Sequence, residues 1–168
     1  MTATFAPARG LSPAELLGVL RTLSRDASTW RALARHTADE RWFLRLAAEA
    51  EYDTWLIGWY PGQGVDLHDH GGSAGALCVV EGELRETSTR RDGDARLRSR
   101  VLTAGEMHAF GRGHVHRVEN DRLEPATSIH VYAPPLVTMD FYARDGDALT
   151  RTHRELADAP RNGAGELR

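Results

Sequence analysis

The 168-residue sequence contains one cysteine, no lysine and no long apolar run. Because Cys78 is the only cysteine, an internal disulfide is excluded and nothing indicates an oxidising compartment. All 21 basic residues are arginine, yet the net charge is −3 and no basic face dominates. Nucleic acid is therefore not expected as the main partner. No stretch approaches the roughly 20 apolar residues of a membrane span, so we expect no membrane partner either.

The amino-terminal residues lack the apolar core of about 7–15 residues that a signal peptide carries. We therefore expect a cytoplasmic protein. A hydrophobic content of 41% and a charged content of 27% are ordinary for a soluble globular chain, and the length fits one domain. The sequence does not determine the oligomeric state, and a monomer is compatible with it.

The first third of the sequence predicts helices. Ser12, Pro13 and Glu15 supply an N-cap, a proline at the first helical position and a capping glutamate. Two further Ala/Arg/Leu-rich stretches, at 28–36 and 38–49, have apolar residues at helical spacing. Residues 1–50 are therefore predicted to form a helical segment that packs on the rest of the chain.

From residue 51 onward, short apolar runs alternate with Gly, Pro and Asp, a pattern typical of strands. An Asp-Gly pair predicts a hairpin turn at 91–94. Strands are predicted at 54–60, 76–80, 83–90, 96–102, 106–110, 115–119, 126–132 and 137–142. This rhythm indicates an all-β core at 51–145, a closed antiparallel double-sheet barrel of jelly-roll type. Residues 146–168 are predicted to be a polar tail that frays from about Thr150.

Three histidines in a glycine frame predict a metal site. His68 and His70 lie two residues apart after Gly62, and side chains at that spacing on a strand share a face. His116 follows a second glycine cluster, and a third imidazole from a partner strand can complete a facial triad on iron, copper, nickel or zinc. No carboxylate stands four or five residues after His70, so the predicted ligands are three neutral nitrogens, and an anionic ligand such as a thiolate is expected.

Two alternatives remain open for these histidines. His114 has the same strand parity as His116 and competes for the third ligand position, although the spacing from Gly105 favours His116. An H-x-H pair alone is also compatible with two exposed strand histidines. The second glycine–histidine motif at a matching offset favours metal binding.

The strand at 126–132 places three polar side chains on one face. Ser128, His130 and Tyr132 alternate with Ile129 and Val131, and one face of a barrel strand points inward. Buried polar groups must hydrogen-bond one another or serve a site. We predict a relay (Ser128, His130, Tyr132) that orients the Tyr132 hydroxyl; the alternative is a strand with a solvent-facing polar side.

These residues together resemble the cupins and, among them, the thiol dioxygenases, most closely the bacterial cysteine dioxygenases. The resemblance covers about residues 40–145. The matching stretches are 59–87, which contain His68-Asp69-His70 and Glu81–Thr87, then His116–Asn120 and Glu124–Pro135. It implies a cupin fold, also called a double-stranded β-helix, with N-terminal helices.

The resemblance also implies a chemistry. Fe(II) would be held by His68, His70 and His116, and cysteine would be oxidised by O2 to its sulfinate. Ser128, His130 and Tyr132 would form the relay, with the tyrosine hydroxyl near the substrate. An arginine ahead of the first barrel strand would bind the substrate carboxylate; Arg45 is the first choice and Arg41 the second. Gly75 occupies the position where eukaryotic members carry a cysteine cross-linked to the tyrosine, so no such cross-link is expected.

Two other functions remain open at this point. One is a dioxygenase for another small thiol such as 3-mercaptopropionate, whose enzymes usually have glutamine in place of the arginine. The other is a non-catalytic, metal-binding cupin sensor, against which the relay argues.

Overall fold

The computed structural model describes residues 10–91 and 96–157. Helix α1 (Pro13–Arg25) begins where the sequence predicts: the Ser12 hydroxyl accepts a hydrogen bond from the Glu15 amide, and the Glu15 carboxylate accepts one from the Ser12 amide. Both halves of a capping box are thus present. Helix α2 (Ala27–Trp30) is shorter than the predicted 28–36 and ends at Trp30. Among the described residues, no helix is long and apolar enough to cross a membrane.

Two antiparallel sheets follow the helices. The first has the strand order β1-β2-β9-β4-β7 and the second β11-β10-β3-β8-β5-β6. The strands are β1 (Phe43–Ala48), β2 (Asp53–Trp59), β3 (Gly64–His68), β4 (Ala74–Glu81), β5 (Glu83–Arg90), β6 (Arg98–Thr103), β7 (Met107–Phe110), β8 (His114–Glu119), β9 (Ala126–Ala133), β10 (Thr138–Asp145) and β11 (Ala148–Leu156). The predicted all-β fold of cupin type is confirmed, with interleaved sheets as in a double-stranded β-helix.

The third predicted helix, at 38–49, is wrong: residues Phe43–Ala48 form strand β1 and pair with β2. Helix propensity is a weak preference that tertiary contacts override. Here Phe43 packs into the core between the sheets and Leu46 into the layer under helix α1. The barrel therefore begins at residue 43 rather than 51.

The prediction of a frayed tail from Thr150 is also wrong, because Ala148–Leu156 forms β11 and pairs with β10 along its length. Arg154 bonds Asp140 at 2.6 and 2.7 Å, and Arg151 bonds the same carboxylate at 3.3 Å. These ion pairs stabilise a mostly exposed, polar strand that has few buried side chains to hold it in place. The barrel thus extends to residue 156 rather than 145. Most of the predicted hairpin at 91–94 lies outside the described residues.

The first sheet is buried on both faces. Its outer face packs on helix α1, where Leu16 and Leu20 contact a layer that contains Ile129 and Val131 of β9. Its inner face meets the second sheet through a core that includes Trp55, Trp59, Leu77, Leu84, Val118 and Tyr132. Every residue of β9 is buried, so its polar residues Ser128, His130 and Tyr132 face the barrel interior.

Candidate metal centre

Two strands and one loop bring the predicted metal ligands together. His68 ends β3 and is the cross-strand partner of His116 in β8, while His70 lies just beyond β3, in the loop that leads to β4. The ligating atoms of the three residues lie within 4.8 Å of one another, and all three side chains are buried. His116 therefore joins His68 and His70, as the sequence favours.

The geometry of this metal triad (His68, His70, His116) fits a metal ion. The Nε2 atoms of His70 and His116 are 3.2 Å apart, close to the roughly 3 Å expected for two ligands at right angles with bonds of about 2.1 Å. The Nδ1 atom of His68 lies 2.7 Å from the Asp66 carbonyl oxygen, and that of His116 lies 2.8 Å from Glu86 Oε1. Because Nδ1 of each of these two rings is hydrogen-bonded, Nε2 is the atom that each ring presents to the position of a metal ion.

The triad is electrically neutral. Burial lowers the pKa of His68 and His70 well below the ordinary value, and the neighbouring His116 lowers both further. Burial also lowers the pKa of His116, to about 4, although the hydrogen bond with Glu86 opposes the shift. Neutral imidazole is the form that binds a metal, so the site is ready for a cation at neutral pH.

Glu86, a residue to which the sequence assigned no role, orients the third ligand from strand β5. Its carboxylate accepts hydrogen bonds from Arg100 at 2.6 and 2.8 Å. Its Oε1 lies 3.2 Å from Nε2 of His108 and 3.2 Å from Nε2 of His114. Burial alone would raise the pKa of Glu86, but the three histidines around it hold that pKa well below its ordinary range. His114 thus contacts Glu86, and with Glu86 and His116 it forms a second group whose possible ligating atoms lie within 4.8 Å of one another.

Asp69 anchors the segment that carries His68 and His70. It is fully buried and accepts hydrogen bonds from the Tyr142 hydroxyl at 2.7 Å, from Arg91 at 2.8 Å and from the Gly71 amide at 2.9 Å. The one indication of this role in the sequence is that Asp69 stands between the two predicted ligands His68 and His70. Its partners come from β10 and from the end of β5, which the sequence alone does not bring together.

The relay is present as a continuous hydrogen-bonded chain. Ser128 Oγ lies 2.8 Å from His130 Nε2, and His130 Nδ1 lies 3.1 Å from the Tyr132 hydroxyl. The sequence did not indicate that the chain begins at Trp59, whose Nε1 donates to Ser128 Oγ at 2.8 Å.

Trp59 fixes the direction of this chain because an indole N–H can only donate. Ser128 accepts that bond and donates its own proton to His130 Nε2. Burial lowers the pKa of His130 to about 3, so the ring is neutral and its single proton lies on Nδ1, which donates to the Tyr132 oxygen. Burial also raises the pKa of Tyr132, so this side chain keeps its proton and has it available to donate.

Two residues of the metal triad and two of the relay line one cavity. His68, His116, His130 and Tyr132 line it together with Arg41, whose guanidinium lies 5.3 Å from the centre of the Trp59 ring and donates to the Gly64 carbonyl. The rest of the lining is mostly apolar, contributed by Phe43, Trp55, Ile57, Trp59, Val65, Val118, Leu136, Met139 and Ala157. Among the described lining residues there is no carboxylate.

The two candidate arginines lie in different places. Arg41 lines the cavity, whereas Arg45 does not; its guanidinium stacks 4.6 Å above the Trp55 ring and lies 3.8 Å from Asp53. The preference for Arg45 came from the resemblance, which places the arginine in the segment ahead of the first barrel strand. Because Phe43–Ala48 is strand β1 and pairs with β2, Arg45 lies within the sheet and Arg41 lies ahead of it.

Gly75 and Cys78 both lie in strand β4. A Cβ atom at Gly75 would lie 2.7 Å from the Phe110 ring and 2.9 Å from the Tyr132 ring, so the rings fill the space that a side chain would need. Cys78 is buried in the layer under helix α1, and burial raises its thiol pKa. It packs as a small apolar residue and lies outside the cavity.

Comparisons with known proteins identify a family for most of the chain. The profile of a family described as cysteine dioxygenase type I matches residues 11–145. Human cysteine dioxygenase type 1 is 26% identical over 134 residues, which cover 74% of this chain and 66% of the human protein, slightly under two thirds of its length. The zebrafish (Danio rerio) protein of the same name is 25% identical over 177 residues, with 88% of this chain and 84% of that protein covered.

Solved structures show the same fold. A protein from Thermus thermophilus superposes with a TM-score of 0.53 at 24% identity, covering 62% of this chain and 93% of the other. A Klebsiella pneumoniae protein with a double-stranded β-helix domain gives a TM-score of 0.51 at 19% identity, covering 73% and 93%. At these identities the likeness concerns the fold alone.

Proposed function

Because this chain belongs to the cysteine dioxygenase type I family, we propose that it oxidises L-cysteine to cysteine sulfinate with O2, using Fe(II) held by His68, His70 and His116. The observation that carries the proposal is that one cavity is lined by two residues of the metal triad, two of the relay, and Arg41: His68, His116, His130, Tyr132 and Arg41. The proposed compartment is the cytoplasm, where a free thiol such as Cys78 stays reduced.

The stoichiometry requires nothing beyond thiol and O2. Both oxygen atoms end on sulfur, and sulfur supplies the electrons that reduce them, so the thiol becomes the sulfinic acid without an external reductant. A ferrous ion in the triad supplies the centre at which the thiolate and O2 meet, and its positive charge favours the thiolate form.

The residues of the chain bind and orient the substrate. Arg41 is the cation that faces the cavity, and a guanidinium binds a carboxylate through paired, charge-assisted hydrogen bonds. The apolar lining excludes water and strengthens that pairing. Tyr132, whose oxygen already accepts from His130, donates its hydroxyl proton toward the sulfur or its developing oxygens, where charge accumulates.

Oxygen consumption with a panel of thiols tests the proposal. The iron-loaded protein should consume O2 with L-cysteine and yield the sulfinate in a one-to-one ratio, identified by mass spectrometry. Faster turnover with 3-mercaptopropionate than with L-cysteine would shift the assignment to a dioxygenase for another small thiol. No O2 consumption with any thiol, despite full iron occupancy, would leave the metal-binding sensor as the function.

A further inference from the structure

A second pocket lies where the open edges of the two sheets approach each other. Strand β7 is the edge of the first sheet and β6 the edge of the second, and residues of both, with others of β5 and β8, line the pocket. Its basic side chains are Arg90, Arg98, Arg100, His108 and His114. This pocket shares no lining residue with the cavity that contains the metal triad.

Strand register places these basic groups on one face. Ser88 is paired with Arg98, and Glu86 with Arg100, across the β5–β6 ladder; Arg90 is paired with His114 across the β5–β8 ladder. Because directly paired residues share a face, three arginines of neighbouring strands project on the side where His114 lies. The clustering of these arginines therefore follows from the alternation of side chains along paired strands.

Glu86 balances part of the positive charge of the pocket, but two of its arginines have no acidic partner among the described residues. Its lining includes no described carboxylate. Arg100 is engaged by Glu86, but Arg90 and Arg98 have no acidic partner within residues 10–91 and 96–157, in contrast to Arg85, which bonds Asp121 at 2.6 Å. Clustered like charges repel, and an anion bound between them would relieve that repulsion.

We propose that this pocket binds a tetrahedral oxyanion of the phosphate or sulfonate class, held by Arg90 and Arg98 with the Ser88 hydroxyl as a further partner. Guanidinium groups and hydroxyls are the usual protein ligands of such anions. The proposal concerns binding at a site separate from the reaction centre, and it does not depend on which thiol, if any, the protein oxidises.

The pocket is one aromatic ring away from the metal triad. The Phe110 ring stacks on His114 with centroids 4.7 Å apart and on His70 with centroids 5.0 Å apart. Glu86 makes a second connection, because its Oε1 contacts both His114 and His116. The proposed site is therefore separated from two of the three predicted metal ligands, His70 and His116, by a single side chain in each case.

Calorimetric titration of the iron-loaded protein tests the proposal. Inorganic phosphate and methanesulfonate serve as probes, with sodium chloride holding the ionic strength constant. The double variant Arg90→Gln/Arg98→Gln should raise the dissociation constant of the bound probe about tenfold or more, since charged hydrogen bonds are lost. The matched control is Arg85→Gln/Arg117→Gln, which removes the same charge from β5 and β8 on the opposite face and should leave binding unchanged.

The outcomes separate the alternatives. Saturable binding of phosphate alone identifies a phosphate site, and binding of both probes identifies a broader oxyanion site; either supports the proposal if the double variant loses it and the control does not. The single variant Arg98→Gln, on the exposed edge strand, should show an intermediate loss even if the double variant folds poorly. Binding that survives in both Arg98→Gln and the double variant, or no binding beyond that of chloride, would overturn the proposal.

Discussion

Each imidazole of the metal triad is fixed by a different neighbour. The Asp66 carbonyl orients His68, and the Glu86 carboxylate orients His116. His70 packs instead against the rings of Phe110 and Tyr132, with centroids 5.0 and 4.9 Å away. Groups that hold ligands in this way commonly contribute about 10–100-fold to metal affinity or activity, so the residues behind the triad matter nearly as much as the ligands.

Replacing the two competing histidines distinguishes ligand from support. We expect His116→Ala to abolish stoichiometric iron binding, because it removes one of three ligands, and His114→Ala to retain most of the iron, because His114 contacts only Glu86 and neighbouring rings among the described residues. Metal content measured by atomic emission checks both. Full iron in His116→Ala together with loss in His114→Ala would show that the third ligand is misassigned.

Removal of the tyrosine hydroxyl tests the relay. Tyr132→Phe keeps the ring against His70 and should therefore keep iron, while turnover falls by on the order of 10²–10³ at most, the usual value of one positioned donor. Iron content and oxygen consumption coupled to sulfinate formation are the measurements. A variant with unchanged rate and unchanged coupling would contradict a role for the hydroxyl.

The two arginines form a natural pair of variants. Arg41→Gln should raise the KM for L-cysteine by more than about tenfold, since losing one partner of a buried charged pair costs roughly 2–5 kcal/mol. It should affect cysteamine, which has no carboxylate, far less. Arg45→Gln serves as the control, because Arg45 lies against Trp55 and Asp53. A selective effect of Arg45→Gln alone would return the assignment to that residue.

At the scale of elements, the sequence predicted eight of the eleven strands in the described residues and missed β1, β3 and β11. Strands β4, β5, β8 and β9 follow from apolar runs and turn residues. The choice of His116 follows from its spacing to Gly105, and the relay follows from side-chain parity. Strand β1 was missed because its Ala, Arg and Leu residues favour helix locally. Its pairing with β2 leaves no signal in its own residues. The contribution of Glu86 and Asp69 depends on contacts between distant strands, which no local pattern encodes.

Strand β4 is packed against two rings at Gly75, so a methyl group there should be costly. Gly75→Ala is expected to lower the free energy of unfolding by about 1–3 kcal/mol, the usual cost of overpacking, because Phe110 and Tyr132 must shift. Gly111→Ala is the matched control, since nothing lies within 4 Å of its added Cβ. Urea unfolding measures both, and equal stabilities would indicate that the rings move freely.

At the scale of the whole molecule, the buried histidines make the metal-free protein sensitive to acid. His116 and His130 have pKa values of about 4 and about 3 in the fold, lowered mainly by burial, against about 6.5 in an unfolded chain. Between these values the unfolded state binds protons that the folded state does not, so stability falls as pH drops below about 6.5.

Chelated, metal-free protein should therefore be less stable at pH 5 than at pH 7, by up to about 2 kcal/mol for each such histidine. Urea unfolding at the two pH values gives the difference. Bound iron should reduce this sensitivity near neutral pH, because a ligand that binds only the folded state stabilises it. Equal stability of the metal-free protein at pH 5 and pH 7 would contradict neutral, buried imidazoles.

The burial of β9 on both faces has a consequence for how this sequence can change over evolutionary time. Ser128, His130 and Tyr132 serve the cavity, while Ile129 and Val131 fill the layer under helix α1. No position on the strand is exposed, so none is available for neutral drift. Substitutions on the cavity face would affect function, and substitutions on the face under helix α1 would affect stability. We therefore expect residues 126–133 to be the slowest-changing stretch among orthologous sequences.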